Sequence, residues 1–83
     1  MKTLTFSFSP RWKEELVCSC VLGSFILEMP MGITSVYFPT QAAWQQRAPE
    51  WARPYWATLH EQLARWCARQ KIPLYVKDDA AVY

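Results

Sequence analysis

Residues 16–33 read LVCSCVLGSFILEMPMGI, and the fold turns on whether this stretch is one helix or two strands. Its 18 residues are mostly apolar. A membrane-spanning helix needs about 20 such residues and tolerates central charge and helix breakers poorly. Glu28, Ser19, Ser24, Gly23, Pro30 and Gly32 interrupt the run. The stretch therefore reads as two buried strands and a turn. The first runs from about Glu15 to Cys20. Gly23 lets the chain turn, and Ser24–Met29 returns with Phe25, Leu27 and Met29 on one face and Ile26 and Glu28 on the other.

Working outward, Pro30-Met31-Gly32 supplies a second turn, because Pro fixes φ and Gly permits positive φ. Ile33–Phe38 is a third strand, rich in β-branched and aromatic residues. Short links between consecutive strands favour an antiparallel meander. Upstream, Leu4, Phe6 and Phe8 alternate with Thr5 and Ser7, predicting a half-buried strand over Leu4–Phe8. Ser9-Pro10 reads as a turn closing it. The same pair suits the start of a short helix over 11–15, but a single turn leading into Glu15 is the preferred reading.

Beyond Pro39 the composition shifts to Ala, Gln, Glu, Arg and Leu. Thr40 is an apt N-cap for a short helix over Gln41–Arg47. Pro49 and Pro54 interrupt any longer helix, though each suits the first turn of a new one. The main helix is predicted from about Pro54 to Gln70. At about 100° per residue, Trp56, Leu59, His60, Leu63, Trp66, Cys67 and Gln70 share an arc of about 120°. Thr58, Glu61, Arg65 and Arg69 lie opposite, and Ala57, Ala64 and Ala68 occupy the shoulder. Pro73 ends the helix. Leu74–Val76 reads as a strand, Lys77-Asp78-Asp79 as a turn and Ala81–Tyr83 as a last edge strand. The prediction is one α+β domain over residues 1–83: a strand-rich part (1–38), a helical part (40–71) and a terminal strand region (73–83). Its sheet is small and mainly antiparallel, with a short and a long helix packed on one face.

Length and composition bound the function. An 83-residue chain buries only about 60% of its unfolded surface. Five tryptophans, at positions 12, 44, 51, 56 and 66, with four Phe and four Tyr, exceed what so small a core hides easily. Exposed aromatics are enriched in interface cores and hot spots. The net charge of +2 is too small to mark a nucleic-acid surface by itself. Met1–Pro10 lacks the long apolar core and small-residue cleavage site of a signal peptide. Three cysteines cannot all pair within the chain, which reads as reduced thiols and a cytoplasmic location. With Gly23 and Gly32 the only glycines, there is no phosphate-cradling loop.

A few constellations bear on chemistry. Cys18 and Cys20, two apart on a strand, share a face; with His60 and Cys67 on the helix they would form a Cys3His zinc set. Buried cysteines more often serve as small hydrophobes, and the usual C-x2-4-C knuckle is missing. Cys18 or Cys20 with His60 is also the only arrangement resembling a thiol catalyst, and no local motif supports it. Glu28 breaks an apolar run and reads as an outward charge protecting a sheet edge, rather than as a buried functional carboxylate. Arg65 and Arg69, extended by Arg53 or Lys71 and flanked by Trp51 or Tyr55, form a basic line suited to RNA or single strands. Glu61, four residues before Arg65, offers it a local ion pair instead.

The favoured reading is a non-enzymatic protein-interaction module needing no cofactor, whose anchors are Trp44, Trp51 and Tyr55. Its partner is another protein or a second copy, as in an inhibitor, antitoxin, immunity protein or small assembly subunit. The alternatives are a zinc-binding domain using Cys18, Cys20, Cys67 and His60, and a nucleic-acid binder using Arg65 and Arg69.

Overall fold

The stretch that decided the reading forms a hairpin. In the computed structural model, which describes residues 4–11, 14–30, 32 and 34–83, β2 (Glu15–Cys20) and β3 (Gly23–Glu28) pair antiparallel, with Cys18 opposite Phe25 and Leu16 opposite Leu27. Alternation sets the faces: Leu16, Cys18, Phe25 and Leu27 are buried, whereas Val17, Ser19 and Ile26 are only half-buried. The sheet has five strands in the order β1-β2-β3-β4-β5. β4 (Val36–Pro39) joins β3 antiparallel through Glu28 and Tyr37. The expected start of that strand at Ile33, the turn residue Met31 and Trp12 lie outside the described residues.

The first strand differs from expectation. β1 is Ser7–Arg11, not Leu4–Phe8, and it runs through Ser9 and Pro10 in register with β2, pairing Pro10 with Leu16. Proline tolerates this place because β1 is an edge strand, whose outward N–H positions need no partner. Leu4 to Phe6 is instead held by Gln62: its Nε2 donates to the Leu4 carbonyl at 2.6 Å, and its Oε1 accepts from the Phe6 N–H at 2.7 Å.

Helix α1 (Gln41–Arg47) starts as predicted, with Thr40 Oγ1 accepting the Ala43 N–H at 3.4 Å. A 3-10 turn over Glu50–Tyr55 contains Pro54 and leads into α2 (Trp56–Gln70). The apolar stripe faces the core: Leu59, Leu63 and Cys67 are buried. Trp56 and Trp66, on the same stripe, lie half-buried at the core's margin. Lys71 ends α2 in the left-handed region (φ 59°, ψ 41°), and Ile72 N–H reaches the Cys67 carbonyl at 2.9 Å, a Schellman close.

β5 (Leu74–Lys77) pairs with β4 in parallel, Val36 beside Leu74. Parallel neighbours require a crossover, and the helical half provides it. The last residues are not a free edge strand. Val82 bridges Leu27, and Tyr83 exchanges backbone hydrogen bonds with Ile26 at 2.9 and 3.1 Å. The terminus thus occupies the part of β3 that β4 leaves unpaired. Three side chains hold it: Glu28 Oε1 accepts the Ala81 N–H at 3.1 Å, Thr40 Oγ1 donates to Asp78 at 2.7 Å, and Arg47 donates to the carbonyls of Asp78 and Ala80. Glu28 is therefore a clamp on the chain terminus rather than a bare edge charge.

Candidate functional site

Six aromatic rings (Phe6, Phe25, Phe38, Trp44, Trp51 and Trp56), with His60, join one cluster that runs from the core to the surface. Trp44 is at its centre, fully buried, with its edge against Phe25 (5.2 Å, 72°) and its face tilted on Phe38 (5.4 Å). Its Nε1–H donates to the Ala52 carbonyl at 3.1 Å. The expected docking role of Trp44 is therefore overturned. A seven-residue helix must bury its one large apolar side chain to pack at all, and the indole found both an apolar pocket and a buried acceptor. Nothing of it is left for a partner to touch.

On one side the cluster continues through Phe38 to Trp56 and His60, whose rings stack at 5.1 Å and 5°. Trp56 Nε1 donates to the Pro39 carbonyl at 3.0 Å. His60 thus faces aromatic carbon. On the other side lies Trp51, half-buried, 6.2 Å from the ring of Phe25. Its indole lies close against Gly23: a methyl at that position would come within 3.0 Å of two ring carbons. This close approach and the φ of 155° both suit glycine at position 23. Tyr55 is also half-buried and packs on the core.

Immediately before Gly23 is the tip of the β2–β3 hairpin, Val21-Leu22. Val21 is 90% exposed and Leu22 50%. Two-residue hairpin turns favour Asn, Asp and Gly, which accept positive φ. Here neither residue has positive φ, since among the described non-glycine residues only Glu14 and Lys71 do. Two large aliphatics thus stand in solvent where small polar residues normally serve, beside a half-exposed indole. Sequence reasoning singled out Trp51, ended the first strand at Cys20 and placed the turn at Gly23, and it gave Val21 and Leu22 no role. The available signal was the two-residue gap between strands that each bury alternate positions.

The cysteines do not gather with the histidine. Cys18 and Cys67 are buried in the core and Cys20 is half-buried, all as free thiols. Among the described residues no group of three His, Cys, Asp or Glu side chains is placed to hold a metal ion. Burial pushes the Cys67 thiol up to about 11. It raises Cys18 further, with neighbouring Cys67 adding to the effect. Both thiols are thus neutral at physiological pH, the reverse of an activated nucleophile. Cys20 Sγ accepts the Leu22 N–H at 3.4 Å, bracing the hairpin tip.

Of the basic line, Arg65 is paired with Glu61 at 2.7 Å, Arg53 donates to the Ala48 carbonyl at 3.3 Å, and Lys71 closes α2. Arg69 is exposed, with no hydrogen-bond or ion-pair partner among the described residues. Arg65 and Arg69 lie on the wall of a cleft beside β1, away from Trp51 and Tyr55 in the 3-10 turn. Among the described residues, no helix is long and apolar enough to cross a membrane. No protein-family model, curated protein or solved structure matches the chain.

Proposed function

We propose that this chain is a protein-interaction module that docks through the hairpin tip, with Val21, Leu22 and Trp51 as its contact residues and Tyr55 at the margin. The observation that supports this most is the pair of exposed aliphatics at a tight turn, next to an indole packed close against Gly23. Large side chains exposed on a rigid element lose little entropy on binding, and Trp is enriched in hot spots. The β2–β3 ladder and the Cys20–Leu22 contact supply that rigidity. The small size fits a binding role, and the buried neutral thiols fit a reducing, cytoplasmic setting. An inhibitor, antitoxin or immunity-type protein, or a small assembly subunit, fits this description.

The direct test places a photo-crosslinking amino acid at Val21, with a control at exposed Ala57 on α2. In the chain's own cells, position 21 gives an adduct of one discrete mass that is lost with Trp51→Ala, and position 57 does not. Equal labelling from both positions, or none from either, refutes the assignment.

A further inference from the structure

A second surface, distinct from the hairpin tip, is built differently. A cleft of about 490 Å3 lies between residues 5–8 and α2, lined by Phe6, Phe8, Gln62, Arg65, Trp66 and Arg69, among others. Its volume falls within the roughly 300–1,000 Å3 of ligand sites. One wall is the backbone of an edge strand. No strand lies beyond β1 among the described residues. The Phe6 N–H points away from β2, since it donates to Gln62 on α2. Backbone direction alternates along a strand, so Phe8 points the same way. Pro10, two further on, occupies the same parity, and a residue without an N–H fits only where β2 needs no donor. The outward groups at Phe8 are therefore open, and Gln62 already satisfies Leu4 and Phe6 through the paired donor and acceptor that a neighbouring strand would supply.

The facing wall is helical and basic. Trp66 packs against Phe8 at 5.8 Å, forming an apolar floor. Among the described residues, Arg65 and Arg69 are the only charged ones lining the cleft. Arg69 is without a partner among the described residues. Arg65 is held by an exposed i,i+4 pair with Glu61, which is weak in water and easily exchanged.

We infer that this cleft takes an extended acidic peptide segment of another protein, added antiparallel or parallel to the free edge of β1, with its carboxylates on Arg69 and Arg65. A groove between a strand edge and a helix is the geometry of peptide recognition by strand addition, where main-chain bonds give affinity and side-chain pockets give selectivity. Arginine's planar fork suits carboxylates. The chemistry favours peptide over nucleic acid. One wall is strand backbone, two cations line the cleft among the described residues, and the chain's net charge is +2, whereas nucleic-acid surfaces are broadly basic.

The test uses the full chain and a blocked peptide of alternating valine and glutamate. Backbone amide shifts in NMR should move for Thr5, Ser7, Phe8 and residues 62–69 and saturate, while Val21 and Leu22 stay still. Arg69→Glu should weaken binding at least about tenfold, the scale of one lost charge-assisted pair. The valine–glutamine counterpart should weaken it similarly, and N-methylation of alternate peptide amides should abolish it. Equal binding of the acidic and neutral peptides, no saturation, or tighter occupation of the cleft by oligothymidylate would overturn the proposal. Arg69 is exposed, so its substitution leaves folding intact, and far-UV circular dichroism verifies this. A failure here leaves the hairpin-tip crosslink at Val21 unaffected, so the two sites stand or fall separately.

Discussion

Trp44→Phe removes the centre of the aromatic cluster while keeping a ring in place. The indole is fully buried and its Nε1–H donates to the Ala52 carbonyl at 3.1 Å. Ala52 is itself fully buried, so no water replaces the lost donor. Leaving such an acceptor short costs about 1–3 kcal/mol. The phenyl ring fills roughly the place of the five-membered ring, so the outer part of the fused benzene ring leaves a void, adding about 1–2 kcal/mol on the scale of small core truncations. Together these give about 3 kcal/mol. A domain of 83 residues has about 4–12 kcal/mol in all at roughly 0.05–0.15 kcal/mol per residue, so the variant loses a large fraction of its stability. Urea titration followed by far-UV circular dichroism should show the midpoint fall with an unchanged m-value. The melting temperature should drop by about 12–24 °C, taking 4–8 °C per kcal/mol for this size. A loss below about 1 kcal/mol would refute the burial of Trp44 and return it to the surface.

Two further outcomes follow from the same structure. Lys71 sits in the left-handed region at the end of α2, where a side chain costs about 1–2 kcal/mol; Lys71→Gly should raise stability by up to about 1 kcal/mol in urea titration, and a decrease would contradict the Schellman geometry. The thiols set an alkaline limit. A thiol whose folded value is raised binds its proton in the native state after the unfolded chain has lost it. Its stabilising contribution is full below pH 9 and is lost as pH rises toward about 11 for Cys67, and higher for Cys18. The slope is about 1.4 kcal/mol per pH unit per thiol. A Cys18→Ala, Cys67→Ala chain should lack this component of base denaturation, and identical pH profiles for the two proteins would refute it.

The elements that the sequence made legible are those with strong periodicity or a cap. The stripe of α2, the Thr40 cap of α1 and the alternation through 15–28 rest on local physics, and each appears within a residue or two of its expected place. The misplacements have non-local causes. Whether Ser9-Pro10 turns or stays extended depends on whether β1 is an edge, which only sheet order decides. Ala81–Tyr83 reads as an edge strand because nothing local shows that β4 leaves half of β3 unpaired. The parallel pairing of β5 follows from the crossover rather than from its four residues. At the site, exposure was inferred from an excess of aromatics, which does not say which ring escapes burial. Trp44 and Trp51 flank the same Pro-interrupted junction, and the acceptor at Ala52 separates them. The aliphatic hairpin tip was not singled out, since Val21 and Leu22 fell in the gap between two expected strands and an apolar residue there carries no local mark of exposure.

The central claim is that the hairpin tip is where this protein meets its partner. Native mass spectrometry on the chain isolated gently from its own cells, beside a Val21→Asp, Leu22→Asp chain, tests it most directly. Both positions are exposed, so the substitutions should change folding stability by less than about 0.5 kcal/mol. The account predicts a dimeric or heteromeric mass for the natural chain and a bare monomer for the variant. A bare monomer for the natural chain, or a complex that survives both aspartates, would contradict it.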